Sequence, residues 1–518
     1  MRFLIFFLIF ASCVSSQKIV DKNNLYNNPK AIQDLNVKVG NQSASINDAI
    51  NVNSFGIIGD GLKDNTSLLQ KIINWAGLNK KKIYFPNGIY LTNQLLIPSN
   101  TKILGQNREK TILKLVSGSD NKNLGYIHNE GVNINFSNIT LDANFSNNTG
   151  KSLSALYILN DHQPASPINN INLSNVSFKG GKGTGTLTII GYSQKISNIN
   201  INNCNFDSSG SNSVQLRGCK TVNVNNCKFT NWGLSNPNVS SFNFLSIVNE
   251  NIILKNNVFK NTNGHQFAIE CAGAEVINSS FSDNIFYGNF LGASGISGAF
   301  TNSNFSNNKH LEGSGSWRSG YEIFGNNDII ANNFIENGSI TLFGKERSGD
   351  YIGSFGNGFT VTNNIVKTNS INTSSLFIAG ESQQYPVKNA KIIGNTFDNS
   401  ASRGSNSPTI HVGTYGGEFY ADSLFFEKNI IVSSSTQSCV YIRGADTLHN
   451  LVFKSNIFKG YSGFRFLNPD KLVDIQLNNN DFSEISNESN IFTYDTATIT
   501  RQFKVLGNKY KNKIISNN

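Results

Sequence analysis

Thirteen times between Phe178 and Tyr510 the chain sets an Asn shortly before a large, usually apolar residue. The marks fall at Phe178, Phe206, Phe229, Phe259, Phe286, His310, Phe334, Val366, Phe397, Ile431, Phe458, Phe482 and Tyr510. Successive marks lie 23 to 34 residues apart. That spacing is too regular for an ordinary globular core and too long for a hairpin, and it is the period of a solenoid coil.

Each period holds the same parts. A run such as Ile199 to Asn203 or Ile252 to Asn256 alternates apolar and polar residues, and the Asn–Phe mark follows it. A Gly/Ser/Asn-rich turn then leads to a second run such as Val214-Gln-Leu-Arg217 or Val440-Tyr-Ile-Arg443. Alternation with period two means strands that bury one face. No stretch after about residue 80 carries a helical period, so there are no crossover helices and each strand must pair with its own copy one period on. Such stacking predicts an all-β chain folded as a single-stranded, right-handed parallel β-helix of about 13 or more coils. At a strand spacing of about 4.8 Å the rod is roughly 60 Å long. The Asn marks suit a corner, where Asn tolerates left-handed φ and side-chain amides bond up the stack. The Phe marks stack inside.

Composition adds a location. The 518 residues are 38% hydrophobic and only 15% charged, which allows a long core beneath a polar β surface. Residues 1–16 open with a basic residue and an apolar run too short to span a bilayer, then turn small and polar. This pattern reads as a signal peptide and predicts a secreted, extracellular protein; attachment to lipid through Cys13 is the alternative. No later segment is apolar enough to cross a membrane. The formal charge of +10 is spread along the chain, which fits an anionic polymer better than nucleic acid. Beyond Cys13 the cysteines form no C-x-x-C pair, so neither a zinc site nor a disulfide framework is expected. Cys204 and Cys227 hold one place in consecutive coils and read as a stacked buried thiol pair, with a disulfide as the other option.

The N-terminal part carries a resemblance. Asn53-Ser-Phe-Gly56, Gly59-Asp-Gly61, Asp64-Asn-Thr66 and the segment Leu68 to Ala76 come first. Ile83-Tyr-Phe-Pro-Asn-Gly-Ile-Tyr90 and Ile97-Pro-Ser-Asn-Thr-Lys-Ile-Leu-Gly105 follow. In this order they resemble the opening of the pectate-lyase-like superfamily of right-handed β-helix proteins, which includes polygalacturonase-like enzymes and tailspike depolymerases. Physically these residues make a lid. Asp64 or Asn65 can cap a helix whose Leu68, Leu69, Ile72, Ile73 and Ala76 form one apolar face, and that face can cover the end of the first coil. The expected order is a signal peptide at 1–16, an extension at 17–50 and a β-helix domain at 51–518, with 51–106 as its cap.

The resemblance implies a glycan groove on the strands after the turn, with chemistry on their outward positions. Aligned strands place Arg217, Glu270, Glu322, His411, Tyr441 and Arg443 outward, and Asp161, Lys345 and Glu381 just past strand ends. Glu270 and Glu322 stand out as catalytic candidates, two coils apart and offset by two residues, which sets their Cα atoms roughly 11 Å apart. If they lean together their carboxyls reach the range of about 6.5 to 9.5 Å expected of an inverting glycosidase. Between them, Leu291-Gly-Ala-Ser-Gly-Ile-Ser-Gly298 offers a notch for a sugar ring. Arg217, His265, Trp317, Arg318, Lys345, Glu346, Arg347, Glu381 and His411 are the expected substrate-binding residues. Asp161-His162 is a further pair at a strand end.

Three functions follow. A secreted glycoside hydrolase uses the two glutamates as acid and base. A polysaccharide lyase eliminates from an acidic glycan with Lys345, Arg318 and His265 as base and neutraliser. A non-catalytic glycan-binding or surface protein uses the same groove without chemistry. The polygalacturonase elements Asn-Thr-Asp, Asp-Asp and Arg-Ile-Lys are absent, which points away from plain polygalacturonate. Neither a cofactor nor a metal is expected, and the chain is expected to act as a monomer on a polysaccharide.

Overall fold

The computed structural model describes residues 49–516 apart from 151, 162–165, 193–195, 237, 261–266, 289–294, 314–319, 347–353, 370–372, 381–384, 403–406, 414–419, 444–446, 468–471 and 495–502. The expected signal peptide, Cys13 and nearly all of the extension lie outside the described residues. Ile46–Asn518 forms one compact unit.

Within that unit the period-two runs form strands, and each pairs in parallel with its copies in the coils before and after. The chain is the right-handed parallel β-helix that the repeats predict. A typical coil has a leading strand such as Asn212–Arg217, a middle strand such as Cys219–Asn225 and a closing strand such as Lys228–Thr230. Leading strands stack on leading strands in strict register, Leu156 on Leu187 and Leu187 on Val214. Middle and closing strands do the same, so an inward residue always meets an inward residue. The result is a core of stacked columns rather than a packed layer.

The Asn of the repeat is not at the left-handed corner. Asn257, Asn284, Asn308, Asn333, Asn364, Asn395, Asn429, Asn456, Asn480 and Asn508 are buried, and the residue before each takes the positive φ, as at Asn256, Asn307, Asn332, Asn363 and Asn479. The two roles assigned to one Asn are thus divided between neighbours. From Asn284 onward each ladder Oδ1 accepts both the backbone N–H and the Nδ2–H of the ladder residue one coil nearer the N-terminus, as Asn364 does from Asn333 at 2.9 and 2.9 Å. Each Nδ2 also donates to a carbonyl of that earlier coil, as Asn364 does to Ile330 at 2.8 Å. Such an amide satisfies backbone groups that a buried turn would otherwise strand. Cys227 and Cys204 occupy the ladder positions before Asn257. Both are free, buried thiols, and each donates to a carbonyl oxygen.

The aromatic marks stack inside. Phe178, Phe206, Phe229, Phe259, Phe286 and His310 run face to face with ring centroids 4.5 to 4.9 Å apart. Phe334 departs from the expected pattern. Lys309 pairs with Phe334 and His310 with Ile335, so Ile335 takes the inward place and Phe334 faces out. A helix, α1 (Thr66–Leu78), buries Leu69, Ile72, Ile73, Trp75 and Ala76. The Asp64 carboxylate accepts the Thr66 N–H at 2.9 Å at its start. Gln70 pairs with both backbone groups of Leu96, accepting its N–H and donating to its carbonyl at 2.8 Å each. A side-chain amide thereby replaces a missing strand at an open edge.

One ladder ends in a buried carboxyl group. Ser303 accepts the Ser279 N–H at 3.3 Å, and Asp328 Oδ1 accepts the Ser303 N–H at 2.8 Å. Asp328 is fully buried, and its Oδ2 has no hydrogen-bond partner among the described residues. Burial pushes its carboxyl well above the ordinary value of 3.8, the Ser303 N–H opposes this, and Glu275 adds to the rise. The folded protein therefore holds Asp328 neutral where the unfolded chain ionises, so stability falls as pH climbs past about 4 toward the folded value. Asp328→Asn should raise the melting temperature over the parent at pH 7, and the gain should shrink as the pH of the thermal melts is lowered toward 4. Asn364→Ala should act the other way at all pH values. It removes the acceptor of the Asn333 N–H and of one of its two Nδ2 hydrogens, and the amide donor to the Ile330 carbonyl, and denaturant titration should show a loss of about 3 kcal/mol.

Candidate functional site

The leading strands present an outward face in which every second side chain points away from the core. Register makes this face a set of columns one strand spacing apart. One column runs Tyr126, Tyr157, Thr188, Gln215, then Asn243, Glu270, Ser297, Glu322, Thr341, Phe377, His411 and Tyr441. A second, two residues on, begins His128, Leu159, Ile190, Arg217. Two parts of this face hold chemistry.

The first is the glutamate pair. Glu270 pairs with Ser297 and Ser297 with Glu322, so the acids stand in one column with no offset, and the two-residue stagger expected from the alignment is corrected. Inwardly matched residues dictate this register, because a slip would turn the core face outward. The acids do not lean together either. The Ser240 hydroxyl donates to Glu270, and the Ser297 hydroxyl donates to Glu322 at 2.9 Å. Each carboxylate thus reaches back toward the coil before it, so their spacing stays near two strand separations, about 9.6 Å. The serine that was to leave a notch is instead tied to Glu322 and is only 6% exposed. Residues 289–294 of that segment lie outside the described residues.

The second cluster lies nearer the N-terminus and was not assembled from the sequence, apart from Arg217 and Asp161. The His128 ring sits 3.1 Å from the Asp161 carboxylate through Nε2, with the two side chains 31% and 40% exposed. Asn129 Nδ2 also approaches Nε2 at 3.0 Å. These contacts ask opposite things of one nitrogen, since Asp161 favours a proton there and an amide N–H favours a lone pair. Asp161 is held in place because Asn129 Oδ1 accepts its backbone N–H at 2.8 Å. Tyr126 stacks on His128 with centroids 5.1 Å apart and lies 5.7 Å from Tyr157. Burial pushes the Tyr157 phenol up to about 12, with Tyr192 and Asp161 adding to the rise and Arg217 opposing it. Burial raises Tyr126 as well. Both phenols are therefore protonated, neutral hydrogen-bond donors. Arg217 lies over Tyr192 with its Cζ 4.4 Å from the ring centroid, and donates to the Tyr192 hydroxyl at 3.4 Å. Its Nε and the neighbouring Gln215 Oε1 are buried without hydrogen-bond partners among the described residues. Such atoms are costly unless something else satisfies them.

The other expected residues scatter. Lys345 is exposed, with its Nζ 5.1 Å from the Phe324 ring centroid, and Glu346 beside it is exposed at the end of a strand that pairs antiparallel with Ser354–Phe355. His411 is corrected. It occupies an outward register position but is fully buried between Phe377 and Tyr441, at 5.0 and 5.3 Å. Burial first, and Arg443 second, lower its pKa to about 3. It is a neutral packing residue and does not reach a substrate. His265, Trp317, Arg318, Arg347 and Glu381 lie outside the described residues, as does His162. Tyr126 and His128 were missed because they lie before the first Asn–Phe mark. Their signal was there in Gly125-Tyr-Ile-His128, which shares the alternation of Leu156-Tyr-Ile-Leu159.

The chain is similar to known proteins over part of its length. Residues 49–263 match the family described as rhamnogalacturonase A/epimerase, pectate lyase-like, a span that contains His128, Tyr157, Asp161, Tyr192 and Arg217 and ends before Glu270. The mannuronan C5-epimerase AlgE2 of Azotobacter vinelandii is 34% identical over 114 residues, 20% of this chain and 11% of that protein. The plasmin and fibronectin-binding protein A of Streptococcus pneumoniae is 27% identical over 148 residues, 25% of this chain and 21% of that protein. The chain thus spans about a tenth to a fifth of the length of these curated relatives. Among solved structures, the A-module of the Azotobacter vinelandii mannuronan C-5 epimerase AlgE6 is 15% identical with a TM-score of 0.33, covering 89% of this chain and 99% of that one.

Proposed function

We propose that this chain, a carbohydrate-active β-helix of the pectate-lyase-like superfamily, removes the proton beside the carboxylate of a uronate in an acidic polysaccharide. The observation that carries this reading is the cluster itself. A half-exposed imidazole paired with a carboxylate, two phenols kept protonated and an arginine share four consecutive coils. A sugar carboxylate set against Arg217 would have its charge neutralised, which acidifies the neighbouring C5–H. His128, oriented by Asp161, takes that proton. In elimination the C5–H electrons become a C4=C5 double bond as the C4–O bond to the next sugar breaks, and Tyr157 supplies the proton that the departing oxygen takes up. In epimerisation the same carbanion is reprotonated on its other face. The relative that is a C5-epimerase supports a reaction starting at that carbon. The scattered positive charge supports an acidic substrate, and the basic then apolar opening of residues 1–16 supports export.

Hydrolysis by Glu270 and Glu322 is the competing reading, and their common register with a near-inverting separation favours it. Incubation with polymannuronate in deuterated buffer separates the two. Epimerisation should place solvent deuterium at C5 by NMR, and elimination should instead leave ultraviolet-absorbing C4=C5 ends that carry no hydrogen at C5. His128→Ala should lower this turnover roughly a hundredfold or more, while Glu270→Gln and Glu322→Gln stay near the parent. New reducing ends without deuterium or ultraviolet absorbance, lost in the glutamate variants and kept in His128→Ala, would reverse the assignment. Binding with no turnover in the parent would make the chain a glycan-binding protein.

A further inference from the structure

On the face formed by the middle strands, six asparagine side chains make one directional wire. Asn223 Nδ2 donates to Asn200 Oδ1 at 3.0 Å, Asn200 to Asn172 at 3.0 Å, and Asn172 to Asn170 at 3.4 Å. Asn170 then donates to Asn133, and Asn133 to Asn100 at 3.3 Å. Apart from the sideways step from Asn172 to Asn170 within one strand, each donor points its N–H toward the N-terminal end, so those dipoles add and polarise one another. The wire ends at Asn100, whose Oδ1 is taken by Asn133 and whose Nδ2 donates to none of the described residues.

That positive end opens into a groove of about 320 Å³ lined by Lys80, Lys102 and asparagines of three consecutive coils. No acidic side chain lines it, and neither lysine forms an ion pair among the described residues. Lys82 pairs in register with Lys102 and adds a third cation at the edge.

Lys80 provides a second, independent observation. It follows α1 at the position where the Lys80 N–H meets the Gly77 carbonyl at 3.3 Å and the Lys81 N–H meets the Ala76 carbonyl at 2.9 Å. This is the helix ending that favours glycine, because the residue there is left-handed. Lys80 takes it with φ +54°. Lys80 shares this left-handed conformation with Lys428 and Lys511 at other corners, and it lines a groove that also holds Lys102 and the Asn100 Nδ2, unbonded among the described residues.

We infer that this groove is a second polysaccharide-binding site, which takes carboxylate- or sulfate-bearing sugars of an acidic glycan. The lysines hold the anionic group, and the amide row, continuing over three coils, meets the hydroxyls of the sugars that follow. A lone ion would leave most of the row unused. The site is on a different face from the His128 cluster and does not depend on the chemistry assigned there.

Titration calorimetry with a mannuronate hexasaccharide on the full His128→Ala chain, which does not consume the probe, tests this. Lys102→Gln and Lys80→Gly, each added to that background, should weaken binding roughly tenfold. Lys80→Gly should do so with an unchanged or higher melting temperature, since it relieves backbone strain. Arg217→Ala on the same background should leave this binding event in place. The inference is overturned if the lysine variants bind as the parent does, if only Arg217→Ala loses binding, or if no binding is seen at all. Inorganic sulfate binding as tightly as the hexasaccharide overturns the glycan assignment and leaves a simple anion site.

Discussion

Everything in this molecule depends on coils stacking in register, because a parallel β-helix satisfies its backbone only through the coil above and the coil below. Each strand's N–H and C=O groups find partners one period away, and a one-residue slip would turn a column of core side chains to solvent. The buried asparagine ladder extends that rule to the one place where strands cannot reach. At the corner before each closing strand, the amide bonds to backbone groups much as a strand would, and the residue ahead of it takes the left-handed turn. The phenylalanine stack fills the space beside it. Neither device is strong per contact, but both recur in coil after coil, so strength comes from repetition.

The same register governs what the surface can do. It gathers residues far apart in the chain into straight columns, and most of those columns are bland. Chemistry appears where a column is interrupted. His128 meets Asp161 because their strands are adjacent copies, and Arg217 reaches Tyr192 because they lie on neighbouring coils. Glu270 and Glu322 stand in line for the same reason, held apart by the serine between them. On the next face, register aligns asparagines into a wire that ends beside unpaired lysines. One scaffold rule thereby yields a reactive cluster and an anion-receptive groove on adjoining faces.

How far the site was legible follows from the same physics. The alternation of Val214-Gln-Leu-Arg217 told which side chains point out, and the outward placement of Arg217, Glu270 and Glu322 needed nothing more. Their neighbours across coils were another matter. A two-residue stagger for the glutamates came from aligning Phe267-Ala-Ile-Glu270 with Tyr321-Glu-Ile-Phe324, whereas the structure sets Ile269, not Phe267, in register with Ile296 and Tyr321. Phe334 was misassigned for a similar reason, since an extra apolar residue beside the mark leaves two candidates for one inward place. His411 was outward by pattern yet buried in fact, because Phe377 and Tyr441 in the flanking coils close over it.

By itself the sequence determined the period, the solenoid, the capping helix and, apart from places such as Phe334, the side of the sheet on which residues fall, because all of these are set by local alternation and by a repeat that only stacking can satisfy. Tertiary structure alone decided which coil-mates touch. The approach of His128 to Asp161, the direction in which Glu270 and Glu322 lean, the neutrality of the buried Asp328 and the polarity of the asparagine wire all depend on distances between chain segments some thirty residues apart. Those distances are fixed by backbone pairing between coils, and burial then sets the charge of whatever that pairing encloses.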